Sequence, residues 1–206
     1  MPTRDPTASP TIRATPAPTP VSLRQRLSPF ALQNGNEFND PNSYQSRALA
    51  RVEEQVGAAS FSDAKLVQYY VLYSIFMATN GVRNPVIDSD PRFMGVTNIP
   101  GWLITTGWLE NDLDPCMNNG AWFGIICQND QVTTIALFEN ILTGVFPPEV
   151  SLLAGDGPRS TGAGNINGID LFNNEFLYNN MDNSWMTLLG SNIRKYLITL
   201  LALPVC

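Results

Sequence analysis

The chain reads as an α/β protein in which a solenoid begins: a helical, disulfide-closed N-terminal cap, then about two to three irregular repeats sharing a short parallel sheet. Three observations lead there. A cysteine-bracketed loop runs from Cys116 to Cys127 with Trp122 inside it. Directly after it, Ile135-x-Leu137-x-x-Asn140-x-Leu142-x-Gly144-x-Phe146-Pro147 sets apolar residues along a strand, an asparagine at the bend, and a glycine and proline on the return. Shifting that run by 34 positions places Ile135 on Ile169, Leu137 on Leu171, Asn140 on Asn174 and Leu142 on Phe176. Four coincidences at one offset mark a repeat, and the turn-rich stretch Ala154 to Gly164 accounts for roughly ten residues beyond the usual length.

Three regions follow in order. Residues 1–40 are expected to be a disordered Thr/Pro-rich stalk, with prolines at 2, 6, 10, 16, 18 and 20 and threonines at 3, 7, 11, 15 and 19 breaking both helix and sheet. Such a segment reads either as an extended stalk open to O-glycosylation or as a tail without a role. Residues 41–128 form the cap. Its first helix is predicted from Tyr44 to Gln55, capped by Asn42 or Ser43, with Ala48, Leu49 and Val52 as its apolar stripe. The second opens at Ser62-Asp63 and stops at Asn80-Gly81; Leu66, Tyr69, Tyr70, Leu72, Tyr73, Phe76 and Met77 recur at three- and four-residue spacing. Those aromatic rings suit packing against a neighbouring layer, or else a ligand groove. A loop region with Trp102 and Trp108 leads to Glu110, Asp112 and Asp114, which read as a solvated loop in preference to a weak calcium loop. Residues 129–206 are the incomplete repeats, with Leu188, Leu189, Ile193 and Leu197 opening a third.

Composition narrows the chemistry. The chain has 206 residues, a net charge of -6, 44% hydrophobic and 15% charged residues, a globular balance for one domain with tails. Twelve Lys and Arg are too few for a basic face, so nucleic acid is not an expected partner. Histidine is absent, which removes Ser-His-Asp and Cys-His catalysis, His-Glu-x-x-His zinc sites and histidine pH switches together. No cofactor or metal is expected, because two cysteines as zinc ligands need two more thiolates or imidazoles. Cys116 and Cys127 are read as a structural disulfide; two buried free thiols are the alternative. No stretch has the ~20 apolar residues of a membrane span or the apolar core of a secretory signal. A disulfide then implies a targeting element outside the stretch given or an incomplete gene model, of which the second is preferred, and membrane association only through a segment missing from this chain.

Tyr69-Tyr70-Val-Leu72-Tyr73, Thr79-Asn80-Gly81, Gly107-Trp108-Leu109, Cys116, Trp122-Phe-Gly124-Ile-Ile126-Cys127, Val132 and the Asn140 repeat together carry a resemblance. They resemble the N-terminal cap and first repeats of plant-type leucine-rich repeat proteins, the group of receptor-like kinase ectodomains and polygalacturonase-inhibiting proteins; the Thr/Pro stalk resembles algal members. The resemblance covers about residues 41–200 and implies a leucine-rich repeat solenoid start, with Trp108, Trp122, Ile135, Leu137, Asn140, Leu142, Gly144 and Asn174 as cap and repeat framework. It also implies that binding positions lie between the inward residues on the concave sheet face: Thr134, Ala136, Phe138 and Glu139, then Asp170, Phe172 and Asn173. The chain departs from the family in its longer cysteine spacing, its insert and its few repeats.

The function expected is therefore non-catalytic recognition of a protein, peptide or glycan by an extracellular or cell-surface, receptor-like protein. Phe138 and Phe172 occupy equivalent places and could form an exposed ridge, or simply pack on each other. Two other readings stand beside this one: a truncated fragment without independent activity, and a carboxylate hydrolase using Glu139 with Asp170, which would need about 5–9 Å between carboxyls.

Overall fold

The computed structural model describes residues 21–81, 101–155 and 161–174. Folding starts earlier than the stalk boundary at residue 40 predicts. The Thr/Pro pattern ends at Pro20, and Ser22 then caps a short helix, α1 (Leu23–Leu27), in a capping box with Gln25. Leu27, Ala31 and Phe38 are buried, the last on a 3-10 turn, Asn36–Asn39, with its ring edge-on to Tyr70 at 5.6 Å. Residues 21–40 thus belong to the core, because they carry the apolar side chains that the proline-rich stretch lacks. Residues 1–20 lie outside the described part, as do 82–100 and the Leu188 to Leu197 pattern.

Helix α2 (Tyr44–Glu53) begins where predicted, and the Ser43 hydroxyl accepts from Ser46 N–H at 3.0 Å. It ends two residues before the predicted Gln55, whose side chain turns inward to donate to the Tyr73 hydroxyl at 2.8 Å. Ala48, Leu49 and Val52 are its buried stripe. Helix α3 (Asp63–Ala78) is capped by Ser62 and is buried on every side from Leu66 to Met77, not along one stripe. It is the central rod of the molecule, with α1, α2 and the 3-10 helix Pro148–Leu153 packed around it. Its stop is made by Asn80, in the left-handed region at φ 57°, and Gly81 N–H closes back onto Phe76 C=O at 2.7 Å. The glycine that marks the end in the sequence is therefore the residue after the left-handed one; a Cβ on it would lie 2.2 Å from the Phe76 ring.

Aromatic rings fill the space between α3 and the loop that follows Gly101. Trp102, Trp108 and Trp122 are all buried; Trp108 lies 4.8 Å from Trp102 and 5.0 Å from Trp122 between ring centroids, and Trp122 lies 5.1 Å from Tyr73. Each indole N–H donates to a backbone carbonyl: Thr79, Phe123 and Leu113 respectively. These rings are core, and the packing alternative holds over a ligand groove. The disulfide between Cys116 and Cys127 closes the loop that presents Trp122.

The sheet has three strands in the order β1 (Ile125–Gln128), β2 (Gln131–Ala136), β3 (Gly164–Asp170). β1 and β2 form an antiparallel hairpin turned by Asn129 and Asp130, both left-handed at φ 52° and 61°. β2 and β3 run parallel, pairing Thr134 with Gly168, Ile135 with Ile169 and Ala136 with Asp170. That register is the offset of 34 read from the sequence. The fold is thus mixed α/β with a short sheet, partly parallel, and a disulfide. Among the described residues, no helix is long and apolar enough to cross a membrane.

Past the strands the two chain segments keep the same geometry. Glu139 and Asn173 are both left-handed, at φ 52° and 55°. Asn174 accepts from Asn140 N–H at 3.1 Å and Leu142 N–H at 2.9 Å, and donates to the carbonyls of Leu137 and Leu171. Asn140, fully buried, bonds the segment before it in the same manner: Oδ1 accepts from Ile104 N–H at 2.7 Å and Nδ2 donates to Ile104 C=O at 3.0 Å. Backbone groups left over where the ladders stop are thereby satisfied. Gly144, at φ 81°, lets the return pass so close to α3 that a Cβ would meet Ala78 C=O at 2.5 Å.

Candidate functional site: the open face of the sheet

Side chains alternate across the strands, so the inward row Ile125, Ile135 and Ile169 is buried, as are Leu137 and Leu171. The opposite face has no element packed over it among the described residues. Across it, Ile126 pairs with Thr134 and Thr134 with Gly168, then Ala136 with Asp170. Phe138 is 45% exposed and Ile126 51%, while Thr134, Ala136, Asp170 and Phe172 are half-buried. Glu139 and Asn173 are exposed at the bends. The seven residues expected to bind thus fall on one side of the sheet or at its end.

Their contacts qualify two of the sequence readings. Phe138 and Phe172 form no ring pair with each other among the described residues, so the rings neither stack nor pack on one another, although the Glu139 N–H to Phe172 C=O bond at 2.8 Å brings the two segments side by side. The Asp170 carboxylate accepts from Phe172 N–H at 3.0 Å, so one oxygen of the carboxylate pair considered for hydrolysis is engaged in holding the turn. Sequence reasoning missed Ile126, and also Leu103 and Ile104, exposed by 46% and 41% and anchored beside Asn140. The signal for Ile126 was the Asn129-Asp130 turn, which implies a second strand whose outward residues join the face. The framework residues Trp108, Trp122, Ile135, Leu137, Asn140 and Leu142 are buried, and Gly144 and Asn174 are partly so.

Asp114, Cys116 and Asp130 bring ligand-type atoms within 4.8 Å of one another. The sulfur is spent in the disulfide, and the Lys65 ammonium already lies between the carboxylates, 3.0 Å from Asp114 and 2.7 Å from Asp130, with Gln68 Oε1 at 2.9 Å. A cation there would have to displace an ammonium. Asp114 also accepts from Cys116 N–H at 2.8 Å, so the acidic run Glu110, Asp112, Asp114 ends in a turn that serves the disulfide loop. A polar pocket of about 170 Å³ opens beside Lys65, lined by Ser62, Gln68, Asn129, Gln131 and Gly162 among others.

Under the sheet's return lies a group to which the sequence assigned no role. Glu149 is fully buried; Tyr44 O–H donates to it at 2.8 Å and Gln45 Nε2 at 3.2 Å. Burial pushes its carboxyl above the usual range, and the bonds donated by Tyr44, by its own backbone N–H and by Gln45 offset this only in part. The hydroxyls of Tyr44 and Tyr70 are likewise pushed up by burial, and next by the nearby Glu149.

Fold and site together define the class: a mixed α/β, disulfide-closed protein whose sheet has one face uncovered among the described residues. No protein-family model matches the chain, and neither does any curated protein or solved structure.

Proposed function

We propose that the chain is a recognition module of leucine-rich repeat type, which binds a protein, peptide or glycan on the open face of its sheet and performs no catalysis. The observation that carries this reading is the parallel pairing of β2 with β3 at the repeat offset, with Asn140 and Asn174 holding backbone in equivalent ways. A solenoid grows by that operation, and it leaves one face of each strand free for a ligand. Exposed Phe138 and Ile126 beside Asp170 supply an apolar surface with a polar edge, a composition suited to a protein, peptide or sugar surface. The disulfide is compatible with a place outside the cell or at its surface.

The test uses the purified chain on immobilised peptides and oligosaccharides. Binding should weaken at least about tenfold for Phe138→Ala and for Asp170→Asn, with Met117→Ala, an exposed apolar change in the cap, as the neutral control. Loss of binding in the control with no change in the two face variants would sink the proposal.

A further inference from the structure

The open face of the sheet carries its residues in rows across the strands, and one row is cut short. Ile126, Thr134 and Gly168 make the first. Phe138 and Phe172, just past the strand ends, make the third, beside the Glu139 N–H to Phe172 C=O bond. Between them come Gly124, whose C=O accepts from Ala136 N–H at 2.7 Å, then Ala136 and Asp170. Nothing larger than a methyl group stands in that middle row until the carboxylate. Successive rows lie about 7 Å apart along the strands, so Ile126 with Thr134 and Phe138 with Phe172 are the banks of a shallow trough. Ala136 is its floor, and Asp170 lies one strand spacing further on, about 5 Å away.

Charge is divided between the two halves of the molecule. Among the described residues, Lys and Arg all belong to the helical part before residue 82, and none occurs from residue 101 onward. Those cations are engaged there: Arg26 with Asp63, Arg51 with Glu54, Lys65 with Asp114 and Asp130, Arg24 with Asn39 and Arg47 with Met77 C=O. Asp170 and Glu139, by contrast, form no ion pair among the described residues. Asp170 gives one oxygen to Phe172 N–H at 3.0 Å, and no described group engages the other.

We propose that the occupant of the open face is a peptide segment that lays a lysine or arginine side chain along this trough, its stem over Ala136 between the two banks and its charge on Asp170. This deepens the recognition role given above and rests on it. A long basic side chain is apolar along its stem and charged at its tip, so it matches both the floor and the end of the trough. At the end, ammonium or guanidinium meets a carboxylate in a charge-assisted hydrogen bond, and exposed Glu139 adds to the attraction from the rim. An anionic ligand is opposed by both carboxylates. A neutral sugar would use Asp170 as an acceptor only and leave its charge uncompensated.

Short random peptides displayed on phage and selected on the full chain provide the probe. Selected sequences should carry Arg or Lys beside an apolar residue. In a selected peptide, replacing arginine by citrulline, which keeps the shape and removes the charge, should weaken binding about five- to tenfold, and added salt should narrow that gap. Asp170→Asn retains an acceptor for Phe172 N–H while losing the charge, and in that variant the citrulline penalty should disappear. Equal binding of the arginine and citrulline peptides, or a penalty that persists undiminished in Asp170→Asn, would overturn the assignment of the cation. Selection of cation-free peptides, or binding of neutral oligosaccharides alone, that weakens in Phe138→Ala overturns it too, but leaves the open face standing as the site. If Phe138→Ala weakens no ligand at all, or no peptide or oligosaccharide is bound, the open-face reading falls together with the cation.

Discussion

Replacing Asn140 by alanine asks whether one turn of chain stacks on the next through this side chain. Asn140 is fully buried, and its amide makes two bonds to one residue, accepting from Ile104 N–H at 2.7 Å and donating to Ile104 C=O at 3.0 Å. Alanine deletes both and leaves two backbone groups in a part-buried place without protein partners. Two bonds at about 1 kcal/mol each, with about 1 kcal/mol more for incomplete resolvation, give a loss of about 2–3 kcal/mol. The main-chain bond from Leu103 N–H to Asn140 C=O survives the change, so the figure is not enlarged by loss of the whole contact. Aspartate should cost at least as much, since it sets an acceptor against the Ile104 carbonyl. Equilibrium urea unfolding followed by tryptophan fluorescence reads the effect, because buried Trp102 adjoins the segment. The midpoint should fall with little change in slope. Asn36→Ala, an exposed change with no side-chain bond to lose, should stay within about 0.5 kcal/mol. If Asn140→Ala costs no more than Asn36→Ala, the account of how the turns are joined fails.

Two further outcomes are expected. Reducing the Cys116–Cys127 bond, which spans a sequence separation of 11, should lower stability by about 3 kcal/mol on the loop-entropy relation, measured as the difference between guanidinium titrations with and without reductant. A shift below about 1 kcal/mol would mean that Trp122 packing alone holds the loop. Glu139→Asn should raise stability by about 0.5–1 kcal/mol, since asparagine tolerates the left-handed φ of 52° better than glutamate; a thermal melt that moves downward contradicts it.

Much of this fold is written locally, and what is not has a physical reason. Ser43 and Ser62 stand before apolar runs of helical spacing, so both helix starts were legible, the first with Asn42 and Ser43 as alternative caps of which the structure uses Ser43. The register of β2 and β3 was legible because an offset in sequence becomes an offset in space when strands run parallel. Burial of α3 on all sides was not, since a three- and four-residue stripe shows one buried face and is silent about the others. The start of the core at residue 21 had a signal in Ser22 and Gln25, a capping box directly after the last clustered proline. Of the candidate face, the outward residues of β2 and β3 followed from alternation, whereas exposed Leu103 and Ile104 are tied to Asn140 by bonds that span 36 positions or more of chain. Nothing near Glu149 announces its burial, because its partner Tyr44 is 105 positions away.

The bends at Glu139 and Asn173 share a sign of φ but not a side chain. What passes from one turn to the next is a handedness of the main chain, which asparagine accommodates readily and glutamate only at a cost. A form inherited in this way tolerates drift in its letters: bend residues can be exchanged one by one, within about a kilocalorie each, while the stacking survives. Likeness between two such chains would then fade first at the bends and last at the inward isoleucines and the two asparagines.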